Sequence, residues 1–238
     1  MKKGCIIGFM IALFAIAAGL IIIYTIIHIP SGIDIDKIKY PITGIDVSKH
    51  TGKIDFQKVK EQSIDFVFMK STEGENYKDE TFEKNYLGAK ESGILFGVYH
   101  FFRFNKSDKK QAINFLSAIE GKKFDLPIVL DIEEWGNQTT KNKVEIIDEI
   151  DEFITSVERA TGANLMIYTN ENGYNKYLKE TMRNKNIWIC SFNKKPDING
   201  QWTFWQHSHK GKFDFASGWV DINTYNGNNA EWNRYLER

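Results

Sequence analysis

Cysteine is nearly absent from this sequence, with two residues, Cys5 and Cys190. Cys5 lies in an apolar N-terminal run and Cys190 in an apolar strand-like run, so one would sit in lipid and the other in a globular core. A bridge between them is not expected, and no CxxC or Cys/His spacing for a metal occurs. Both thiols read as small buried hydrophobes, and the fold does not rest on disulfides. Proline is scarce as well, at four residues, and Gly, Pro and Ser are scattered, which argues against long disordered stretches. No charge of one sign dominates, with 31 Lys+Arg against 31 Asp+Glu. That balance leaves no basic footprint, so nucleic acid is not an expected partner. No short internal repeat or low-complexity tract is visible.

What the chain does carry begins with one long apolar run. Residues 5–27, CIIGFMIALFAIAAGLIIIYTII, hold no charge and follow Lys2 and Lys3. That length matches the roughly 20 residues a helix needs to cross a bilayer. A cleaved signal peptide is the rival, and Ala15-Ile16-Ala17 has the small-x-small look of a cleavage site. The apolar stretch continues well past it, however, so an uncleaved anchor is expected. Lys2 and Lys3 would stay cytoplasmic and the rest of the chain would face outward, secreted only if the segment is cut. The organisation expected is a cytoplasmic stub and anchor over 1–28, a spacer over 29–41 and one domain over 42–238. About 200 residues suffice for a single buried core.

Beyond Pro41 the pattern alternates. Strand-like runs at 43–48, 65–72, 94–102, 126–133 and 163–170 are separated by helix-like stretches at 55–63, 79–92, 107–119 and 141–160, with another at 171–180. The longest helix would bury Val144, Ile147, Ile150, Phe153 and Val157 on one stripe. Strands apolar on both faces that alternate with amphipathic helices imply a parallel sheet of βα units. Runs at 187–192, 202–208 and 219–225 then follow without helix-length inserts. About five βα units followed by about three strands predict an α/β fold, a modified TIM-like barrel.

Acids stand at or near the ends of three such runs: Asp46 in TGIDVS, Asp131 and Glu133 in VLDIEE, and Asp221 in WVDIN. In a parallel barrel those ends share the face where active sites lie. Burying an unpaired carboxylate costs several kcal/mol as an order of magnitude, so packing alone does not explain the pattern. Side chains i and i+2 of a strand point the same way, which sends Asp131 and Glu133 into one cavity with Cα atoms roughly 6.5 Å apart. Two close carboxyls repel, so one holds its proton to higher pH, giving the acid-plus-anion pair that glycoside cleavage needs. Any single acid could instead cap a turn or meet a lysine. Carboxylates alone can also hold magnesium or calcium, but no phosphate or calcium loop is present, so neither metal nor cofactor is expected.

Aromatic residues gather at the same strand ends: Tyr99, Phe101, Phe102, Trp135, Tyr168, Trp205, Trp219 and Tyr225. Flat rings pack on sugar faces, and Tyr99, Phe101, Tyr168 and Trp205 are the candidate substrate contacts. Phe102 and Trp219 read as core. His100 faces away from Tyr99 and reads as a satisfied core histidine, while Lys70 and Glu73 pair with each other or with an active-site acid.

The segments GIDVSKHTGKIDF, FVFMKSTEG, GVYHFF, PIVLDIE, IYTN, WICSFN, FWQHS and VDINTYNG, in that order over residues 43–227, resemble glycoside hydrolase family 25, the Chalaropsis-type muramidases. The resemblance implies a barrel of five βα units and three further strands. It implies hydrolysis of the β-1,4 bond between N-acetylmuramic acid and N-acetylglucosamine in peptidoglycan glycan strands. Glu133 would be the general acid and Asp131 would assist the substrate acetamide, with Asp46 and Asp221 tuning the pair. A monomer is expected. A membrane-tethered, non-catalytic wall-binding module and a hydrolase of another N-acetylated polymer such as chitin stand as alternatives.

Overall fold

The structure, a computed structural model, describes residues 32–182, 184–198 and 202–237. The expected membrane helix over 5–27, with Cys5, lies outside the described residues. Among the described residues no helix is long and apolar enough to cross a membrane.

The strands are β1 (Thr43–Val47), β2 (Phe66–Glu73), a two-residue β3 (Tyr77–Lys78), β4 (Leu95–Phe101), β5 (Ile128–Asp131), β6 (Met166–Asn170), β7 (Ile187–Cys190), β8 (Phe204–Gly211) and β9 (Val220–Tyr225). Their order is β1-β9-β8-β7-β6-β5-β4-β2-β3, and β1 also pairs with β2, which closes a barrel of eight strands and leaves β3 as a flap on β2. Around the ring only β9 runs antiparallel to its neighbours. Helices Phe56–Glu61, Phe82–Ser92, Asp108–Ile119 and Lys143–Thr161 alternate with the parallel strands, and a short helical segment, Glu171–Gly173 running into a π turn at Tyr174–Leu178, follows β6. The result is an eight-strand mixed barrel wrapped by helices.

Local chemistry fixes these elements. Asn142 caps the longest helix by accepting from the N–H groups of Val144 and Glu145, and the Glu145 carboxylate accepts from the N–H of Asn142 in return. Gly162, at φ 72°, ends it in the left-handed region that a side chain disfavours. The buried stripe of that helix is Ile146, Ile150, Phe153, Ile154 and Val157. Val144 is a correction to the sequence reading: it lies in the first turn and is 65% exposed.

Inside the barrel Phe66, Phe68, Trp188 and Phe204 pack on one another, with Phe68 stacked on Trp188 at 4.6 Å. Glycines on adjoining strands make room for these rings. Gly44 is the register partner of Phe66, and Gly97 that of Phe68. A Cβ at either position would come within 2.5 Å of a ring atom. The helix Asn229–Leu236, which the periodicity did not reveal, brings Trp232 against Phe66 and Phe204 and closes this end of the barrel. The opposite end stays open, and the parallel strands point their C-terminal ends at it.

Residues 32–40 lie along the barrel. β7 pairs with β8 only over Phe204–Gln206, so the β8 edge beyond is unfilled. Gly32 bridges to Ser208, and Ile33 N–H donates to the His207 carbonyl at 3.0 Å.

Candidate active site

The open end of the barrel forms a cleft of about 1060 Å³, lined by Asp46, Asp131, Glu133 and Asp221 together with Tyr99, Phe101 and Tyr168. Seven of the eight expected site residues therefore meet in one place. Trp205 is the correction. Strand alternation sends Gln206 inward, so its neighbour Trp205 faces outward, buried against Tyr40 and Trp202 with its indole N–H donating to the Ser191 carbonyl at 2.8 Å.

β5 ends at Asp131, two residues short of the expected strand, yet the pair still shares the cavity. Ile132 N–H donates to the Tyr168 carbonyl at 2.9 Å, which carries the extended backbone one residue further. Asn137 then pins the turn: its Nδ2 donates to the carbonyls of Glu133 at 2.9 Å and Phe102 at 2.7 Å, and its Oδ1 accepts from Phe104 N–H at 2.9 Å. Arg103 adds a bond to the Gly136 carbonyl. Glu133 is thus held by its backbone, with its carboxyl lining the cleft beside Tyr168.

The electrostatics favour protonated acids. Burial pushes the Glu133 carboxyl up to about 7; the Tyr168 hydroxyl beside it opposes that rise, the charge on Asp46 adds to it and Lys70 opposes it. Asp131 is raised well above the usual carboxylate range, by burial first and then by Glu133, with Lys70 opposing. Its Oδ1 is buried with no hydrogen-bond partner. Asp46 rises to about 6 through burial, moderated by donors: Asn223 Nδ2 at 2.8 Å and Gln206 Nε2 at 2.9 Å, both to Oδ2. Asp221 is raised well above its usual value by burial and by the charges of Asp46 and Glu133. An array of carboxyls that cannot all ionise together is a proton store at a cleft wall.

Beside it, Lys70 Nζ meets Glu73 at 2.6 Å and Arg103 Nε donates to Glu73 at 2.7 Å, so Glu73 takes both cations rather than leaving them to the acids. The Arg103 guanidinium covers the Phe101 ring at 4.7 Å. Trp135, next but one to Glu133, is 84% exposed and lines the cleft. Phe102 and His100 are core residues, His100 with Nδ1 2.7 Å from Thr72 Oγ1 and its ring stacked on Phe153. Trp219, read as core, is half exposed with Lys212 over its ring.

The sequence reading missed Gln206, Asn223, Asn137 and Trp188. Gln206 and Asn223 carried a signal, since each is an amide inside an otherwise apolar strand that needs a partner when buried. Among the described residues no group of three His, Cys, Asp or Glu side chains is arranged to hold a metal ion.

Paired, proton-holding carboxyls at the C-terminal mouth of a barrel, open to an aromatic-walled cleft, define a glycoside hydrolase site. Comparison with known proteins gives the same class. The chain belongs to the glycosyl hydrolases family 25, whose model matches residues 45–215. It is 36% identical to Lysozyme M1 of Streptomyces globisporus over 207 residues, 79% of this chain and 69% of that protein. It is 34% identical to the uncharacterized protein YegX of Escherichia coli O157:H7 over 218 residues, 89% of this chain and 76% of the other. Among solved structures, a family 25 glycosyl hydrolase from Bacillus anthracis superposes with a TM-score of 0.77 at 29% identity, covering 86% of this chain and 96% of that one.

Proposed function

We propose that this glycoside hydrolase cleaves the β-1,4 bond between N-acetylmuramic acid and N-acetylglucosamine in peptidoglycan. One observation carries the reading. Glu133 lines the cleft with its carboxyl pushed up to about 7, so a large share of it still holds a proton at neutral pH for a leaving oxygen. Kinship with a lysozyme of Streptomyces globisporus supports the choice of polymer.

The positions of these side chains support the following chemistry. Glu133 gives its proton to the bridging oxygen as the bond to the anomeric carbon breaks. The acetamide oxygen of the same sugar attacks that carbon, forming a cyclic oxazolinium ion, and the carboxyl of Asp131, whose Oδ1 has no partner, accepts the acetamide N–H. Water then opens the ring, passing a proton to the Glu133 carboxylate and restoring the acid. Asp46, held by the Gln206 and Asn223 amides, keeps the local field negative where positive charge develops, and the neutral carboxyl of Asp221 stands opposite it. Tyr99, Phe101 and Trp135 offer faces for sugar rings along the cleft. A non-catalytic binding module has no use for a carboxyl kept protonated at this place.

The protein is proposed to act as a monomer at the cell envelope, held by residues 5–27 with Lys2 and Lys3 on the cytoplasmic side. The full-length chain is expected in the membrane fraction; mature protein in the medium beginning near Ala18 overturns the anchor. Mass analysis of products from purified peptidoglycan tests the substrate. Fragments with N-acetylmuramic acid at the new reducing end are expected. Fragments ending in N-acetylglucosamine, or release from chitin alone, contradict the assignment.

A further inference from the structure

Strands β2, β4 and β5 set three side chains in a row across the barrel mouth. Glu73 is the register partner of Phe101, and Phe101 that of Asp131, so Glu73 stands about 10 Å from Asp131, two strand spacings away. Two cations gather on it. Lys70 Nζ meets one Glu73 oxygen at 2.6 Å, and Arg103 donates to the other through Nε at 2.7 Å and through Nη2. Both cations lie against the Phe101 ring, the guanidinium at 4.7 Å and the ammonium at 5.1 Å from its centre. All of these side chains line the cleft.

The cluster holds more charge and more donors than it uses internally. Burial pushes the Glu73 carboxyl up, but Lys70 and Arg103 outweigh it and hold the group below its ordinary value, so Glu73 is an anion at neutral pH. Two cations against one anion leave a net positive charge. After the bonds to Glu73 and to the Gly136 carbonyl, Arg103 keeps an N–H on each terminal nitrogen. Lys70 gives one N–H to Glu73 and keeps the others. Its side chain is 11% exposed, so little water screens its charge. Asp131 does not take up these donors, since its Oδ1 has no hydrogen-bond partner.

Peptidoglycan offers a matching anion. On muramic acid the carbon beside the acetamide bears a 3-O-lactyl ether. That group ends in a carboxylate, or continues into a peptide stem with carboxylates of its own; chitin has a bare hydroxyl at the same carbon. With the acetamide at Asp131, the neighbouring substituent lies against the wall beside that residue. On the β6 side the wall offers Tyr168, which carries no charge. On the β4 side it offers the two cations.

We infer that Lys70 and Arg103, held in place by Glu73, form a subsite for the carboxylate on the 3-O substituent of muramic acid. Arg103 supplies the planar pair of donors that fits a carboxylate, and Lys70 the point charge beside it. Glu73 is a positioning residue that keeps both cations off the acids. The assignment rests on the proposed action on peptidoglycan, and it names the feature that separates a muramic polymer from chitin.

Paired substrates test the subsite with the full-length protein: peptide-free glycan strands and stem-bearing strands, each also with its carboxyls converted to methylamides. Wild type is expected to cut the charged form with kcat/KM roughly tenfold above the neutral form. A preference on peptide-free strands places the lactyl carboxylate in the subsite; one on stem-bearing strands places a stem carboxylate there. Arg103→Gln lowers kcat/KM on the charged form by a similar factor and on the neutral form by less, so the preference collapses. Arg103→Lys keeps the charge, loses the fork and recovers only part of it, and raised salt narrows the wild-type preference. Equal cutting of charged and neutral strands by wild type overturns the inference. So does an Arg103→Gln loss that is the same on both forms, which would mark Arg103 as a support for the turn at Gly136. If Arg103→Gln does not fold, the wild-type comparison decides. Equilibrium binding of the same strands to Glu133→Gln protein gives the ordering without turnover, so failure of the subsite is distinguishable from failure of the proposed cleavage.

Discussion

Asp46 and Asp221 sit directly opposite each other where the antiparallel strand β9 meets β1. The pairing is an outcome of topology. A barrel of uniform parallel strands would carry its acids on successive C-terminal ends, whereas the reversed β9 brings an acid from the start of its strand to the same mouth. Two buried carboxyls in register cannot both be charged without strain, and Asp221 is raised well above its usual range by burial and by Asp46.

Asp221→Asn relieves that repulsion while keeping the shape. The melting temperature at pH 8 is expected to rise. Activity on cell walls is expected to fall by roughly tenfold to a hundredfold, since the carboxyl that faces Asp46 and tunes its charge is replaced by an amide. Thermal melts and a turbidity assay on the same preparation check both halves; a variant that is less stable and fully active contradicts them.

Stability should also depend on pH through Glu133. Its carboxyl has an ordinary value of 4.5 and is raised to about 7 in the fold. The folded chain thus binds this proton more tightly than the unfolded chain does. The contribution is complete below pH 4.5, declines as pH rises, and is gone above about 7. Glu133→Gln is therefore expected to stabilise the protein by about 1–3 kcal/mol at pH 8 and by almost nothing at pH 4. Urea unfolding at the two pH values measures the difference; an equal effect at both removes the cause.

Asn137 offers a test of backbone placement. Its three hydrogen bonds join the turn after β5 to the end of β4. Asn137→Ala is expected to cost about 1–3 kcal/mol and to lower kcat more than it raises KM, because Glu133 drifts while the cleft walls remain. A pure KM effect would mean that Asn137 shapes binding instead.

The barrel interior makes its own prediction. A Cβ at Gly97 would lie 2.5 Å from the Phe68 ring and 2.7 Å from the Pro127 carbonyl oxygen. Gly97→Ala is expected to destabilise the fold by roughly 1–3 kcal/mol, with Phe68→Leu in the same chain recovering part of the loss. Simple additivity of the two substitutions contradicts this packing account.

Much of this was legible in the chain. The five alternations and three closing strands, and the four acids at strand ends, follow from periodicity and from the expense of burying charge. Tyr99, Phe101 and Tyr168 were placed by the same alternation. Trp205 failed because it stands one residue before Gln206, the side chain that faces the cleft, and one step along a strand reverses a side chain. Val144 failed because helical periodicity turns it away from the stripe of Ile146, Ile150 and Phe153. The helix Asn229–Leu236 was hidden by its mean polarity, since only Trp232 is buried. Gln206 and Asn223 show in the sequence only as amides in apolar strands, and Asn137 not at all, because their partners lie 160, 177 and 35 residues away.

The central claim is that the proton on Glu133 cleaves the glycan. Release of reducing sugar ends from purified peptidoglycan by wild type and by Glu133→Gln, with circular dichroism to confirm the fold, tests it most directly. Wild type should release ends, with activity falling as pH rises through about 7, and the folded variant should release almost none. A folded Glu133→Gln protein that cuts as fast as wild type contradicts the account.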